Sequence, residues 1–580
     1  MCVSTHPSGG SQGPRHLNLE PAIAVRRTGH QKLTQRGAVE SSLHLQPWHY
    51  SESMPLPPWL TTVPAALMLT GAAITQDFTS HADPPTRKSG LNVLFIAVDD
   101  LRPELGCYGA QHIHSPNIDR LAAQGVLFRK AYCQQPLCNP SRTSLMTGLR
   151  PESVGVFGNH VHFRDRFPDL ATLPQHFKTH GYTAIGIGKI YHGVFREGES
   201  RSVWDTMGDP PTWSEPAIRF GPRYYFTQEG IAQAKQAFRR DYKVDAPEPD
   251  EWTRSLVFGP MTEAPQVPDT QLYDGKVAAV AVNKLRQLKN EHNPFFLAVG
   301  FIKPHTPFVA PKIYWDRYGA EQLLEERNPD FPKNTPRIAF HGSGEIRRYT
   351  DQPKKGPFTD ANRRNLRHGY FACISFIDAQ IGKVLDELKR LELTEDTVVM
   401  LWGDHGYHLG EQGMWGKITC FENAARVPLI VRLPGAAGNG KVSPALVELV
   451  DLYPTLCELA DLPLPEHLEG TSFAALLQKP ELKWKSAAFT QQPRGGNWDR
   501  GGTNRGTSIR THRYRYTEWR SVAAGTLVAQ ELYDHRTDPL ETNNLAQASN
   551  LKQQIEELSA MIQQGWQAAR PDSISTTSAP

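Results

Sequence analysis

Asn92-Val93-Leu94-Phe95-Ile96-Ala97-Val98 is apolar almost throughout and stops abruptly at Asp99-Asp100. A strand with one wet face alternates apolar and polar residues. This one does not, so it belongs in the middle of a parallel sheet covered on both faces. Two acids directly behind a buried strand are unfavourable unless a cation meets them. In open α/β sheets, ligands sit at the carboxyl ends of the strands.

The same arrangement recurs along the chain. Tyr182–Ile187 is an apolar strand with Lys189 and His192 behind it. Pro294–Phe301 runs into Lys303-Pro304-His305, and Thr397–Trp402 delivers Gly403-Asp404-His405-Gly406, with Lys417 in the loop that follows. Further strands are expected at Val126–Ala131 and Val427–Leu433. Helices are expected at Asn117–Gln124, Thr172–His180, Asp269–Glu291, Ala361–Leu391 and Leu449–Ala460. Residues 196–268 and 311–360 lack a sustained period and read as insertions. The predicted fold is α/β, a large and mostly parallel central sheet flanked by helices. After Trp484 come short aromatic segments, Thr507–Thr511, Tyr514–Trp519 and Glu531–Tyr533, then an amphipathic stretch at Leu551–Trp566. They predict a smaller C-terminal α+β subdomain with a short antiparallel sheet. The expected division is a leader at 1–88, a main domain at 89–480, and a C-terminal subdomain and tail at 481–580.

The leader is polar up to Ser53, then turns apolar from Trp59 to Ala73. That run is short for a membrane span and matches a signal-peptide core, at about residues 54–75 with Met54 as the start. It predicts export to a periplasmic or extracellular location, with no integral membrane segment in the mature chain. The alternative reading of the run is an apolar tail. With 63 Lys+Arg against 60 Asp+Glu, bulk charge gives no sign of a nucleic-acid partner. The seven cysteines form no C-x-x-C pair and no zinc pattern, although Cys133 and Cys138 are close enough in sequence to pair.

Cys138 opens the stretch Cys-Asn-Pro-Ser-Arg-Thr-Ser-Leu-Met-Thr-Gly, residues 138–148. Pro140 suits a first helical turn and Gly148 a stop. Cys138 then lies at a helix N-terminus, which favours an anion, with Arg142 one turn on along the same face. A buried cysteine beside a structural arginine is the plainer alternative. The convergence of strand ends weighs against it. Asp99, Asp100 and Asp404 suit Ca²⁺ or Mg²⁺ better than zinc. Arg142, Lys189 and Lys417 can hold a tetrahedral oxyanion, and the histidines can move protons. Chemistry of this kind is metal-assisted displacement at sulfur or phosphorus.

Cys138-Asn139-Pro140-Ser141-Arg142 with Thr147-Gly148 resembles the signature of the type I sulfatases, of the alkaline-phosphatase-like superfamily. Asn92–Leu101 resembles the first strand and metal pair of that family, and Gly403–Gly406 its second metal motif. Glu531–Asp534 with Asp538-Pro539, Glu541 and Asn544-Leu545 resembles its C-terminal signature. Gly188–His192, Lys303–Phe308, Trp415-Gly416-Lys417, Ser508–Thr511 and Tyr514-Arg515-Tyr516 look most like the iduronate-2-sulfatase branch. Asn139 stands where the family has a smaller residue.

The resemblance implies a sulfuric ester hydrolase acting on a sulfated saccharide. It implies that a formylglycine-generating enzyme oxidises Cys138 to formylglycine. It also implies one Ca²⁺ per subunit, held by Asp99, Asp100, Asp404, His405 and the modified Cys138. Arg142, Lys189 and Lys417 would orient the sulfate, His305 would protonate the leaving alcohol, and His192 would act as the base for sulfate release. Two other readings stay open here. One is a phosphate or phosphonate ester hydrolase of the same superfamily. The other is a sulfated-glycan binding protein that does not turn over.

Overall fold

The computed structural model describes residues 90–193, 209–221, 223–243, 245–246, 258–319, 323 and 326–571. The expected leader and its signal peptide lie outside them. The first strand, β1 (Asn92–Val98), is buried along its whole length. It lies at the centre of an eight-stranded sheet. Its neighbours are β4 (Phe295–Phe301) and β5 (Thr397–Gly403), both parallel to it. Beyond β4 lies β3 (Thr183–Gly188), again parallel. On the other side β6 (Leu429–Arg432) runs antiparallel between β5 and β2 (Val126–Tyr132), and β7 (Val442–Glu448) pairs in parallel with β2. The sheet is therefore mostly parallel, and the carboxyl ends of β1, β3, β4 and β5 share one edge.

Side chains pin the register at the opposite edge. Asn92 Nδ2 donates to Thr397 Oγ1 at 3.4 Å, and Asn92 Oδ1 accepts from the Phe295 amide at 3.1 Å. One buried amide thus ties β1 to both neighbours. Helices cover the two faces. The longest, Asp360–Arg390, starts with a capping box at Thr359 and packs Phe371, Ile374, Ile377, Ile381, Val384 and Leu388 against the sheet core. The opposite core contains Phe95, Phe128, Phe177 and Trp402.

Several boundaries differ from the sequence reading. Val427–Leu433 is broken at Pro428, which has no N–H to give the ladder, leaving a two-residue strand at Arg426–Val427 before β6. Asp269–Glu291 is a 3-10 turn at Asp269–Gln271 and then a helix at Tyr273–Leu288. The first insertion contains a helix at Gln228–Tyr242, capped by Thr227 Oγ1 accepting from the Gly230 amide at 3.0 Å. Its buried face is Gly230, Ala234, Ala237 and Phe238, too lightly apolar to show as a period. Cys133 and Cys138 are both free thiols.

The C-terminal sheet is antiparallel in the order β8 (Ala488–Arg494), β9 (Asn504–Arg510), β10 (Tyr514–Ser521), β11 (Leu527–Asp534). The helix Lys552–Gln564 packs Leu558 against it. Ion pairs join the C-terminal region to the rest. Arg515 bridges Glu541 and Glu422 at 2.7 and 2.5 Å, and Lys485 meets both Glu448 and Asp451. Glu422, His535 and Glu541 offer ligand atoms close together. Arg510 and Arg515 already take up Glu422, and Arg515 and His535 meet at Glu541, so these groups form an ion network. Among the described residues no helix is long and apolar enough to cross a membrane.

Candidate active site

Four side chains meet at the carboxyl edge of the sheet. Asp99, Asp100, Cys138 and His405 each offer a ligand atom, all within 4.8 Å of one another and all buried. Successive side chains of a strand point to opposite faces. Asp100 breaks that alternation with a φ of 57°, a left-handed conformation that carries roughly 1–2 kcal/mol of strain outside glycine. Its surroundings hold it there: the Asp100 amide donates to Asp404 Oδ1 at 3.0 Å, and Tyr370 Oη donates to the Asp100 carbonyl at 2.7 Å.

Cys138 is the first residue of the helix Cys138–Thr147, which follows the extended Leu137 and is closed by Gly148 at a φ of 70°. All ten helix residues are buried. The Cys138 Sγ atom lies 3.3 Å from His405 Nε2, 3.9 Å from Asp100 Oδ1 and 3.7 Å from Lys417 Nζ. Burial, aided by Asp99 and Asp404, pushes its thiol up against the pull of Lys189 and Lys417. That is opposite to what a thiolate nucleophile requires. Ser141 Oγ donates to the Asp404 carbonyl at 2.5 Å and fastens the helix to the end of β5.

Asp404 works within this frame as an acceptor. Its Oδ1 takes the amides of Asp100 and His405, both at 3.0 Å, and its Oδ2 takes Arg142 Nε at 2.9 Å. Oδ2 also lies 3.7 Å from His405 Nε2, so the carboxylate borders the cluster. Arg142 is fully buried beneath it. Nη1 donates to the carbonyls of Lys189 and Ile190 at 2.7 and 2.9 Å, and Nη2 to Asp99 Oδ1 at 3.3 Å.

The other cations approach from above. Lys189 pairs with Asp99. Its position depends on Gly188 and Gly300, which face each other across β3 and β4. A Cβ on Gly300 would lie 2.1 Å from the Lys189 carbonyl oxygen, and one on Gly188 2.2 Å from that of Gly300. Lys417 Nζ meets both oxygens of Asp100, at 2.6 and 2.8 Å, and lies 3.3 Å from His305 Nε2. Burial opposes the Asp99 charge, but Lys189, His305 and Arg142 outweigh it and hold that carboxyl well below its usual range. For Asp100, burial with Asp99 and Glu345 wins over Lys417 and His405, and the carboxyl moves up. Burial likewise opposes the Lys417 ammonium. Asp100, with Cys138, Glu345 and Asp99, outweighs it and raises that group well above its normal range.

A cavity of about 350 Å³ opens above this floor, lined by Lys189, His192, His305 and Lys417 among others. The structure thus gathers every sequence-predicted site residue at one edge: His192 and His305 on the cavity wall, Arg142 below the floor. Another cavity, of about 380 Å³, adjoins Tyr273, Asp274 and Lys303. There Asp274 accepts from the Ile302 and Lys303 amides at 2.7 and 2.9 Å, and so shapes the turn before His305.

Sequence reasoning missed several contributors. Asn139 Nδ2 donates to the carbonyls of Gly158 and Val161, both at 2.8 Å, its amide donates to Asn159 Oδ1 at 3.2 Å, and its Oδ1 accepts from Thr143 Oγ1 at 3.1 Å. It fastens to the cysteine helix a loop whose Asn159 and His160 line the cavity. Ile418, beside Lys417, has a φ of 71°, an outlier for a β-branched residue. Its amide donates to the Pro136 carbonyl at 3.1 Å and its own carbonyl accepts from Arg494 Nη2 at 2.6 Å. Trp498, on the turn between β8 and β9, brings the C-terminal sheet to the same cavity. Phe258, Glu345 and Arg348 complete the wall. Their contacts span hundreds of residues, and no local spacing announces them.

The Sulfatase family profile matches residues 91–462. The chain belongs to the sulfatase family. A profile described as N-sulphoglucosamine sulphohydrolase, C-terminal, matches residues 410–568 of this sulfatase. Iduronate 2-sulfatase of Mus musculus is 32% identical to it over 557 residues, which cover 85% of this chain and 97% of that one. Among solved structures, the phosphonate monoester hydrolase of Agrobacterium radiobacter superposes with a TM-score of 0.63 at 22% identity, covering 82% of this chain and 95% of its own. A 2-O GAG sulfatase superposes with a TM-score of 0.60 at 22% identity, covering 83% and 93%. These two establish the fold. The chain is a sulfuric ester hydrolase, as its family and its full-length relative show.

Proposed function

We propose that this sulfatase removes sulfate from a sulfated saccharide in the manner of the iduronate-2-sulfatase branch, using one Ca²⁺ and a formylglycine made from Cys138. The observation that carries the reading is the buried cluster of Asp99, Asp100, Cys138 and His405, within 4.8 Å, at the base of a cation-lined cavity. The donor set fits a hard divalent ion: Asp99, Asp100 and the adjoining Asp404 supply oxygen, and His405 one nitrogen. Sulfur is the odd member, and oxidation of Cys138 would replace it with oxygen. A cation already stands among these donors, since Lys417 Nζ contacts both Asp100 oxygens and lies 3.7 Å from Cys138 Sγ.

Such an ion neutralises sulfate oxygens and acidifies a hydroxyl beside it, and a hydrated aldehyde at residue 138 supplies that hydroxyl. The remaining work falls to the chain. Lys189 and Lys417 hold the sulfate oxygens as charge develops. His305 gives its proton to the leaving alcohol oxygen. His192 then takes a proton from the remaining hydroxyl at residue 138, so that the aldehyde re-forms as its C–O bond to sulfate breaks and sulfate leaves. Arg142 acts through others: it fixes Asp404, Asp99 and the Lys189 segment from below. Residues 89–480 form the catalytic part and 481–580 the C-terminal subdomain. The protein acts outside the cytoplasm after maturation by a formylglycine-generating enzyme.

Sulfate release from defined sulfated saccharides, including 2-O-sulfated uronic acids, tests the proposal once the aldehyde has been confirmed by peptide mass. Sulfate esters should be cleaved, and phosphate and phosphonate esters far more slowly. Equal or faster cleavage of the phosphorus esters would overturn the substrate class. Saccharide binding without sulfate release would overturn catalysis.

A further inference from the structure

We propose that Arg348 receives a carboxylate of the substrate and so selects sulfated uronic acids. This deepens the sulfatase reading above and rests on it. Each deep cation of the site already has a counter-charge in the protein: Lys189 has Asp99, Lys417 has Asp100, and Arg142 has Asp404 and Asp99. Arg348 differs. Among the described residues no carboxylate oxygen comes within 4 Å of its guanidinium, and Asp241, whose carboxyl it helps to lower, is paired with Arg240. An aromatic ring holds it instead, with the guanidinium carbon 3.8 Å from the centroid of Phe258. Phe258 is itself buried and packed edge-on against Tyr349. A guanidinium carried on a ring keeps N–H groups in its own plane for a bidentate acceptor.

Its placement gives the selectivity. Arg348 ends the 3-10 turn Ile346–Arg348, which follows Glu345. Glu345 faces inward: its Oε2 lies 4.0 Å from Lys417 Nζ, and its Oε1 accepts from Thr306 Oγ1 at 3.1 Å. Arg348 is exposed at the outer part of the same wall. The turn is built without its side chain. Arg347 donates to the carbonyls of Gly342, Pro353 and Gly356 at 3.0, 2.8 and 2.8 Å, and Ile346 is fully buried. One turn therefore sets Glu345 against Lys417 at the inner end and, near the mouth, a guanidinium with no carboxylate partner among the described residues. A saccharide whose sulfate is held by Lys189 and Lys417, and which carries a second anion further out, brings that anion to Arg348. A neutral sulfated hexose leaves Arg348 without a counter-charge.

The test uses the matured full-length enzyme with a 2-O-sulfated uronic acid disaccharide and its carboxyl-reduced counterpart, in which –COO⁻ becomes –CH₂OH. Wild type should prefer the carboxylate form in kcat/KM. Arg348→Gln should shrink that preference about 10–100-fold through KM, the loss of one charged bidentate contact, and Arg348→Lys should fall between. Added salt should erode the wild-type preference and leave that of Arg348→Gln flat. A preference that survives Arg348→Gln, or a loss shared equally by both substrates, would overturn the proposal. Wild-type release of sulfate from neutral hexoses but from neither disaccharide would overturn it too, while the sulfatase reading stood. Release from no ester, an aryl sulfate included, would bring down that reading and the proposal with it.

Discussion

Replacing Arg142 with lysine keeps a positive charge under the cluster and removes its fork. The guanidinium makes four hydrogen bonds to four acceptors: Asp404 Oδ2, Asp99 Oδ1 and the carbonyls of Lys189 and Ile190. A lysine ammonium is a single point on a flexible stem and cannot span them. If it stays with the carboxylates, the two carbonyls lose their donor in a site with no access to water. Each unmet buried acceptor is worth about 1–3 kcal/mol, so Arg142→Lys should destabilise the fold by about 2–6 kcal/mol. Those carbonyls belong to the segment that carries Lys189. A shift of that segment by about 1 Å should lower kcat about 100-fold. Urea denaturation gives the first number, and sulfate release per aldehyde-bearing site gives the second. A variant within about 0.5 kcal/mol of wild type, with kcat within about threefold, would refute the positioning argument.

Other expectations follow from buried polar groups. Burial lifts the Glu531 carboxyl to about 7, against the hydrogen bonds from Trp519 and Tyr533. It is protonated in the folded state and ionised in the unfolded state between about pH 4.5 and 7, so stability falls by about 3 kcal/mol as pH rises through that window. Glu531→Gln should flatten this fall in urea midpoints taken from pH 5 to 8, and an unchanged slope would count against the assignment. Asn139→Ala should free the loop carrying Asn159 and His160 and raise saccharide KM about tenfold, with kcat per aldehyde less affected; a loss in kcat alone would contradict that role. Chelation should abolish sulfate release and lower the melting temperature, with both restored by Ca²⁺; activity that persists after verified metal removal would refute the metal assignment.

The parts of the site carried by strong local signals were legible in the sequence. The unbroken apolar run of β1 announced a buried parallel strand, and Asp99-Asp100 at its end announced a ligand edge. Asp404-His405, Lys189 and His305 followed by the same logic, because parallel strands bring their carboxyl ends together. What failed to show had weak or misleading local chemistry. Strand β8 reads Ala-Phe-Thr-Gln-Gln-Pro-Arg, and its buried Thr490, Gln491 and Gln492 satisfy no apolar pattern. Asn139 looked like a mere departure from a signature, since its partners at Gly158 and Val161 become visible only in the fold. The left-handed backbone at Ile418 runs against the preference of that residue type, so only tertiary contacts could impose it. Arg348 and Trp498 reach the cavity from segments that lack periodicity.

The central claim is that Cys138 acts as an aldehyde precursor and not as a thiol. Preparations with different extents of maturation, each measured for aldehyde content by the mass of the Cys138 peptide, can be compared for sulfate release. The account predicts a straight line through the origin, with Cys138→Ala at zero. Sulfate turnover at full rate in protein that has only the thiol, or in Cys138→Ala, would contradict it.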